Sequence, residues 1–413
     1  MERRESTKTA APVKKRLLVL DMLRGFALLG IILANFPEFS QWTFHSAEEQ
    51  AAMPGAQTDK VLHYLLYVFV DGKFYTLFSL LFGIGFSMII TNCKKRGVNG
   101  MQVFYRRMFM LVLFGALHLL LLWSGDILLL YALLGMLLPL FWTCSNRKLL
   151  CWSACFLLLP VVVDLLRTIT GWSLAEYPYN LWWSKCEEYG ITEGNFATWL
   201  TEHNDYASMH QFLMQGAWER LWEFVAGNRY FKVLGLFLIG LYVGRQQMVS
   251  SLSKFRPILR KVSIVGFAVG LPLSFLYASD SINGQSAPCI HTLLYTFSVY
   301  PLGLAYAASL ALLFGRHQGW HIWKMLSYPG RIALTNYLSH SVAGILLFYG
   351  IGFAFGGCPL WLTLVIALGV YCLLALLSAV WMRFFQFGPL EWIWRMLTYG
   401  RYFKIRRKGV VEM

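Results

Sequence analysis

A chain of 413 residues with 57% apolar, 16% aromatic and only 14% charged side chains is too poor in charge for a soluble globular domain, where about a quarter of residues are charged. Its net charge of +15 does not point to nucleic acid, because the basic residues fall between apolar runs and not on one domain face. The composition is that of an integral membrane protein, in which the basic residues act as topology signals.

Residues 1–16 are polar and basic, and the apolar run behind them carries Asp21 and Arg24 without a small-residue cleavage site, which reads as an uncleaved first span. A span needs about 20 mostly apolar residues. Ten runs qualify, near 17–36, 61–91, 104–123, 126–142, 148–166, 230–248, 257–278, 290–314, 329–351 and 359–383. The second is interrupted by Asp71-Gly72-Lys73, which predicts an amphipathic entry before the span proper. With the N-terminus inside, Lys94, Lys95, Arg96, Arg147, Lys148, Arg245, Lys254 and Arg316 fall on the cytoplasmic side, and Glu38, Glu48, Glu49, Asp59, Asp126 and Asp280 on the outer side. The alternation survives every crossing.

The predicted fold is therefore all-α: a polytopic bundle of about ten transmembrane helices with both termini cytoplasmic and a helical extracytoplasmic cap. It divides into a basic segment 1–16, helices one to five over 17–166, an acidic Trp-rich loop over 167–229, helices six to ten over 230–383, and a basic tail over 384–413. The loop carries Trp172, Trp182, Trp183, Trp199, Trp218 and Trp222, and its apolar periodicity predicts interfacial helices with Trp at headgroup level.

Ionisable groups inside spans are costly and mark candidate sites. Asp21 and Arg24 share a helical face; they form a structural ion pair, or Arg24 contacts a ligand phosphate. Asn35 ends the same run and either caps it or reaches an outer site. His118 precedes a turn, Trp123-Ser-Gly-Asp126, in which Asp126 caps the next helix or orients the imidazole. Lys73 pairs with Asp71 or binds an anion. Arg331, Asn336 and His340 lie together on the ninth run, with an interhelical hydrogen-bond cluster as the favoured reading of the last two.

No metal site is expected: His203 and His210 are two turns apart, and His317 and His321 lack a third ligand. Gly83-x-Gly85 and Gly240-x-x-x-Gly244 predict close helix packing. Among the eight cysteines, Cys151 and Cys155 read as packing residues, and Cys289 with Cys358 are candidates for an outer disulfide.

The motifs Asp21-x-x-Arg24-Gly25, Gly72-Lys73-Phe74-x-Thr76-Leu77-Phe78, His118 with Trp123-x-Gly125-Asp126, Gly330-Arg331-x-Ala333-Leu334-Thr335-Asn336-Tyr337 and Gly388-Pro-Leu-Glu391-Trp-x-Trp394-Arg395 closely resemble the YeiB family of bacterial inner-membrane proteins, defined by domain of unknown function 418. That family is similar to the transmembrane acyltransferases, in which a cytoplasmic acyl-CoA delivers its acyl group to an acceptor at the outer face with a histidine taking part. Many of those enzymes carry the histidine at the end of the first helix. This chain has Asn35 there, so the resemblance implies that His118 substitutes, oriented by Asp126, with Arg24, Lys73, Arg331 and Asn336 holding the acyl-CoA. The implied partners are the bilayer, acyl-CoA and an extracytoplasmic glycan, lipid or small-molecule acceptor. The competing expectation is a transporter or flippase with Lys73, His118 and Asp126 as a proton relay.

Overall fold

The computed structural model describes residues 18–284 and 286–407, so the basic segment 1–16 and the last residues of the tail lie outside the described residues. The described residues are almost wholly helical, and one isolated bridge between Phe385 and Arg406 is their only β pairing. α1 spans Leu18–Phe39 and packs by small residues. A capping box of Ser46 and Glu49 starts the short α2 (Ala47–Ala52). It leads to α3 (Ala56–Phe69) and α4 (Lys73–Lys94), which break at Val70–Gly72, where Gly72 has a φ of 70°. The break falls at the Asp71-Gly72-Lys73 interruption, because a left-handed backbone conformation favours glycine.

α5 (Gly100–Leu121) begins where Asn99 caps the Gln102 amide. The run 126–142 does not form one long helix: α6 (Leu128–Gly135) stops near Gly135, and a short 3-10 turn, Leu138–Phe141, follows with Pro139 in its first turn. α7 (Asn146–Thr170) comes next, capped by Ser145. Residues 167–229 form α8 (Glu176–Tyr189), α9 (Trp199–Glu202) and α10 (Tyr206–Ala226). α11 (Arg229–Arg245) is bent by 66° from α10. Then follow α12 (Leu252–Asn283), α13 (Pro288–Arg316), α14 (His321–Arg331), α15 (Ala333–Phe348), α16 (Leu360–Phe384) and α17 (Pro389–Tyr399). The run 329–351 is thus divided at Ile332.

Seven of these helices, α3 and α4 together counting as one, are long and apolar enough to cross a membrane, or eight if the bent α10–α11 pair is one span. The outside of the bundle carries large apolar side chains, as on α5, where Phe109, Leu113, Leu117 and Leu120 are exposed. In water such a band would be an aggregation surface; in lipid it is the matching solvent. The protein is an integral membrane protein.

Small residues set the helix spacing. A Cβ on Gly83 would lie 2.1 Å from the Phe237 carbonyl oxygen, and one on Gly330 would lie 1.8 Å from that of Asp21. The first contact joins α4 to α11 and the second α14 to α1. Polar caps join other elements across the chain. Asp59 accepts from the Leu360 and Trp361 amides at the start of α16, and Glu391 accepts from those of Leu334 and Thr335 at the start of α15.

The predicted disulfide does not form: Cys289 and Cys358 are free, as are the other six cysteines. They begin α13 and lead into α16, which pack mainly against different partners, α12 and α7 for the first, α1 and α14 for the second. Cys151 and Cys155 are exposed on the outside of α7 instead of packing internally. In the Trp-rich segment, Trp182 stacks on Trp222 with centroids 5.2 Å apart and donates to Gln215 Oε1 at 2.6 Å. Trp182 and Trp199 are buried in the same hydrophobic core as Phe36, Tyr131 and Phe348 of the bundle, and Trp172 is left exposed.

Candidate functional site

Two cavities enter the bundle from opposite ends. The larger, about 820 Å³, lies under α10 and is lined by polar residues that include Asn35, Glu38, Asp71, Asp126, Asp164, Arg220, Arg229 and Lys232. We call this the cap cavity. The smaller base cavity, about 290 Å³, has Arg24, Arg107, Arg331 and Glu391 among apolar walls such as Leu81, Phe86, Ile89 and Leu111. Phe78, Tyr131 and Tyr337 line both, so one aromatic layer divides them. On α1, Arg24 and Asn35 face different cavities and stand about 16 Å apart along the axis at 1.5 Å per residue.

The turn after α5 supplies one wall of the cap cavity. The His118 carbonyl takes the amides of both Leu122 and Trp123, ending α5 and turning the chain. Asp126 then does both things the sequence allowed. Its Oδ2 accepts the Leu129 amide at 2.7 Å, capping α6, and its Oδ1 lies 2.8 Å from His118 Nδ1. His118 Nε2 is 2.8 Å from Ser341 Oγ on α15. The order Ser341–His118–Asp126 is that of a nucleophilic triad. Yet His118 is 0% and Ser341 1% exposed, and neither lines a cavity, whereas Asp126 does. The imidazole is a clamp joining α5, α6 and α15, with the carboxylate as its cavity-facing end.

The rest of the cap cavity is similarly cross-linked. Arg220, from α10, pairs with Glu38 of α1 at 3.0 Å, also pairs with Glu223, and donates from Nε to the Ser124 carbonyl at 3.0 Å. Tyr277 donates to Asp71 at 2.7 Å, and Thr292 donates to Asp164 at 2.6 Å. Asn35 reaches the cavity without capping α1, which continues to Phe39.

Lys73 is fully buried. Its Nζ donates to the Tyr67 carbonyl at 2.5 Å and lies over the Tyr277 ring, 5.2 Å from the centroid, so it pairs neither with Asp71 nor with a cavity. Asn336 lines no cavity either. Its Nδ2 donates to the Pro329 and Ile332 carbonyls and to Ser378, closing the α14–α15 joint to α16. His340, one turn on, is buried, and its Nδ1 has no partner among the described residues. Asp21 and Arg24 do form an ion pair, at 3.0 Å.

Arg24 and Arg331 therefore come together, and Arg107 joins them with its guanidinium 4.0 Å from the Trp394 ring. Glu391 faces the same cavity while capping α15. Burial raises its carboxyl above the usual carboxylate range, against the downward pull of Thr335 and the α15 amides. The described residues hold no group of three or more metal-ligating side chains.

Sequence reasoning missed Ser341, Arg220, Lys232, Tyr131 and Tyr337. For Lys232 there was a signal, a lysine at the start of an apolar run; Tyr337 stood at the end of the Gly330–Tyr337 motif without a role, and Tyr131 carried no signal, because aromatic residues abound in every span.

Residues 243–401 match a family described as protein of unknown function (DUF418). An uncharacterized 39.9 kDa protein in the amylase 3' region of Bacillus acidopullulyticus is 30% identical over 95% of this chain and 97% of its own length. The chain belongs to the DUF418 family. Two further relatives are also uncharacterized: YxaH of Bacillus subtilis, 26% identical over 96% of this chain and 98% of its own, and YeiB of Escherichia coli, 27% identical over 93% and 96%. No solved structure matches this DUF418 chain. The motifs Gly330–Tyr337 and Gly388–Arg395 lie within the matched region and meet at the Glu391 cap.

Proposed function

We propose that this DUF418 protein is a transmembrane acyltransferase of the bacterial inner membrane, moving an acyl group from cytoplasmic acyl-CoA to an acceptor at the outer face. In this reading the chain crosses ten times, with both termini and the base cavity cytoplasmic and the Trp-rich cap outside. The charge pattern supports that orientation, and Arg245, which donates to the Cys144 carbonyl at 2.7 Å, brings together the ends of the two short passes, α6 with its 3-10 turn and α11.

The observation that carries the reading is the pair of opposed cavities sharing Phe78, Tyr131 and Tyr337. Three arginines with apolar walls suit an amphiphilic anion, phosphates at the guanidinium groups and the arm along the apolar surface. The polar cap cavity suits a hydroxyl- or amine-bearing acceptor. The acceptor oxygen attacks the thioester carbonyl, so a C–O bond forms and the C–S bond breaks. Asp126 receives the acceptor proton, His118 holds Asp126 in position from behind, and CoA leaves as the thiol once protonated. The test is purified protein with labelled acyl-CoA and candidate acceptors. Acyl transfer that Asp126→Asn abolishes supports the reading; no bound nucleotide and no thioester cleavage refutes it.

One observation favours a transporter instead: both His118 ring nitrogens are engaged, in a chain from Asp126 to Ser341 that can relay a proton. That reading predicts proton-coupled flux in proteoliposomes without thioester cleavage.

A further inference from the structure

Lys232 is 7% exposed and lines the cap cavity from the first turns of α11. Its ammonium lies 3.8 Å from the centroid of the Tyr295 ring, and among the described residues no carboxylate comes within ion-pair distance of it. A buried cation without a counter-ion is costly. The acids nearby are already engaged: Asp164 accepts from Thr292 and Asn228, and Asp71 accepts from Tyr277.

The helix beneath Lys232 adds to this field. α11 starts at the 66° bend from α10, and the residue at its start, Asn228, has a φ of 50° and makes no side-chain cap bond. Its side-chain oxygen accepts instead from the Tyr230 hydroxyl at 3.3 Å. The first amides of α11 are thus without a side-chain cap, and Ala226, Gly227 and Arg229 beside them line the same cavity. A helix N-terminus with uncapped amides carries positive potential and suits an anion. Arg229 stands there too, held only loosely by Glu223 at 3.6 Å.

We infer that the start of α11, with Lys232 and Arg229, is an anion subsite that binds a carboxylate or phosphate group of the ligand in the cap cavity. The cavity ligand is therefore an acidic molecule, such as a uronic acid or a phosphorylated head group, and not a neutral one. This deepens the proposed acceptor site, but the binding test needs no acyl donor, so the two stand or fall separately.

The full-length protein in lipid nanodiscs is titrated with glucuronate, with inorganic phosphate and with neutral glucose, reading ligand-dependent thermal stabilisation. Saturable stabilisation by one anion but not by glucose is expected, and which anion works identifies the group. Loss of a charge-assisted contact predicts an affinity about tenfold or more weaker in Lys232→Met and in Arg229→Gln, with Lys232→Arg much closer to the unaltered protein. Should Lys232→Met not be recovered folded, Arg229→Gln reads the same loss. Stabilisation by glucose as strong as by either anion, no anion binding at all, or unchanged binding in both Lys232→Met and Arg229→Gln overturns the inference.

Discussion

The cap cavity holds seven acidic and four basic side chains of lysine or arginine, and most of them are fixed by partners on other helices; the base cavity holds three arginines and one acid set in apolar walls. In the first, charge is spent on structure: Arg220 ties α10 to α1, Asp126 ties α6 to α5, and Asp164 ties α7 to α13. In the second, Glu391 caps α15, Arg24 pairs with Asp21 and Arg107 lies over Trp394, and the rest of the wall is largely apolar. The difference teaches that the two ends differ in chemistry, a cross-linked polar wall at one and arginines among apolar side chains at the other, which is what the proposed donor and acceptor sites rest on. They meet only across the Phe78, Tyr131 and Tyr337 layer.

The largest effect that would break this contrast is on turnover. Asp126→Asn leaves a side chain of the same shape that cannot take a proton, so acyl transfer should fall about 100- to 10,000-fold while the protein stays monodisperse. Unchanged turnover would remove Asp126 from the chemistry. Next comes Arg220→Ala, which strands Glu38 in the cavity wall and leaves Glu223 with Arg229 alone; breaking a buried pair costs about 3–5 kcal/mol. Thermal unfolding in detergent measures it, and a loss under about 1 kcal/mol would mean the cap is not anchored through this arginine.

Smaller effects test the base end. Gly330→Ala drives a Cβ against the Asp21 carbonyl and should destabilise by about 1–3 kcal/mol through overpacking, read by the same melt. A neutral result would show that α14 can move away from α1. The smallest effect is that of Glu391→Gln, which keeps an oxygen acceptor for the α15 amides but removes the buried group's titration, a change of about 1 kcal/mol or less. Because the folded carboxyl titrates above its unfolded value, its contribution is fully present below the unfolded value and is lost as pH rises through the folded one. The glutamine variant should lack that part of the pH dependence of stability, and a profile parallel to the unaltered protein would contradict the assignment.

Much of this was legible in the sequence. Apolar runs announced the helical bundle, Asp71-Gly72-Lys73 announced the α3–α4 break, and Gly83 and Gly240 announced close packing. The pairing of His118 with Asp126 was one of the two roles the turn allowed, beside capping α6, and the carboxylate fills both. Other features depend on contacts far apart in the chain. Ser341 is 223 residues from His118, and Arg220 is 182 from Glu38. Lys73 looked like a ligand site because a lysine within a span needs a partner, and that partner proved to be a backbone carbonyl, which no side-chain pattern reveals. Asn336 belonged to a motif, but its task is to satisfy carbonyls freed at the α14–α15 joint. The runs 126–142 and 329–351 looked continuous because hydropathy does not register the backbone breaks near Pro139 and Ile332.

The central claim, that donor and acceptor occupy cavities on opposite sides of the membrane, is tested most directly in sealed inside-out vesicles containing the protein. Labelled acyl-CoA is supplied outside, on the cytoplasmic face, and the acceptor is enclosed in the lumen. The account predicts labelled acceptor in the lumen, absent when the donor is enclosed with the acceptor. Label transferred to acceptor on the donor's own side, or no transfer from either side, would contradict it.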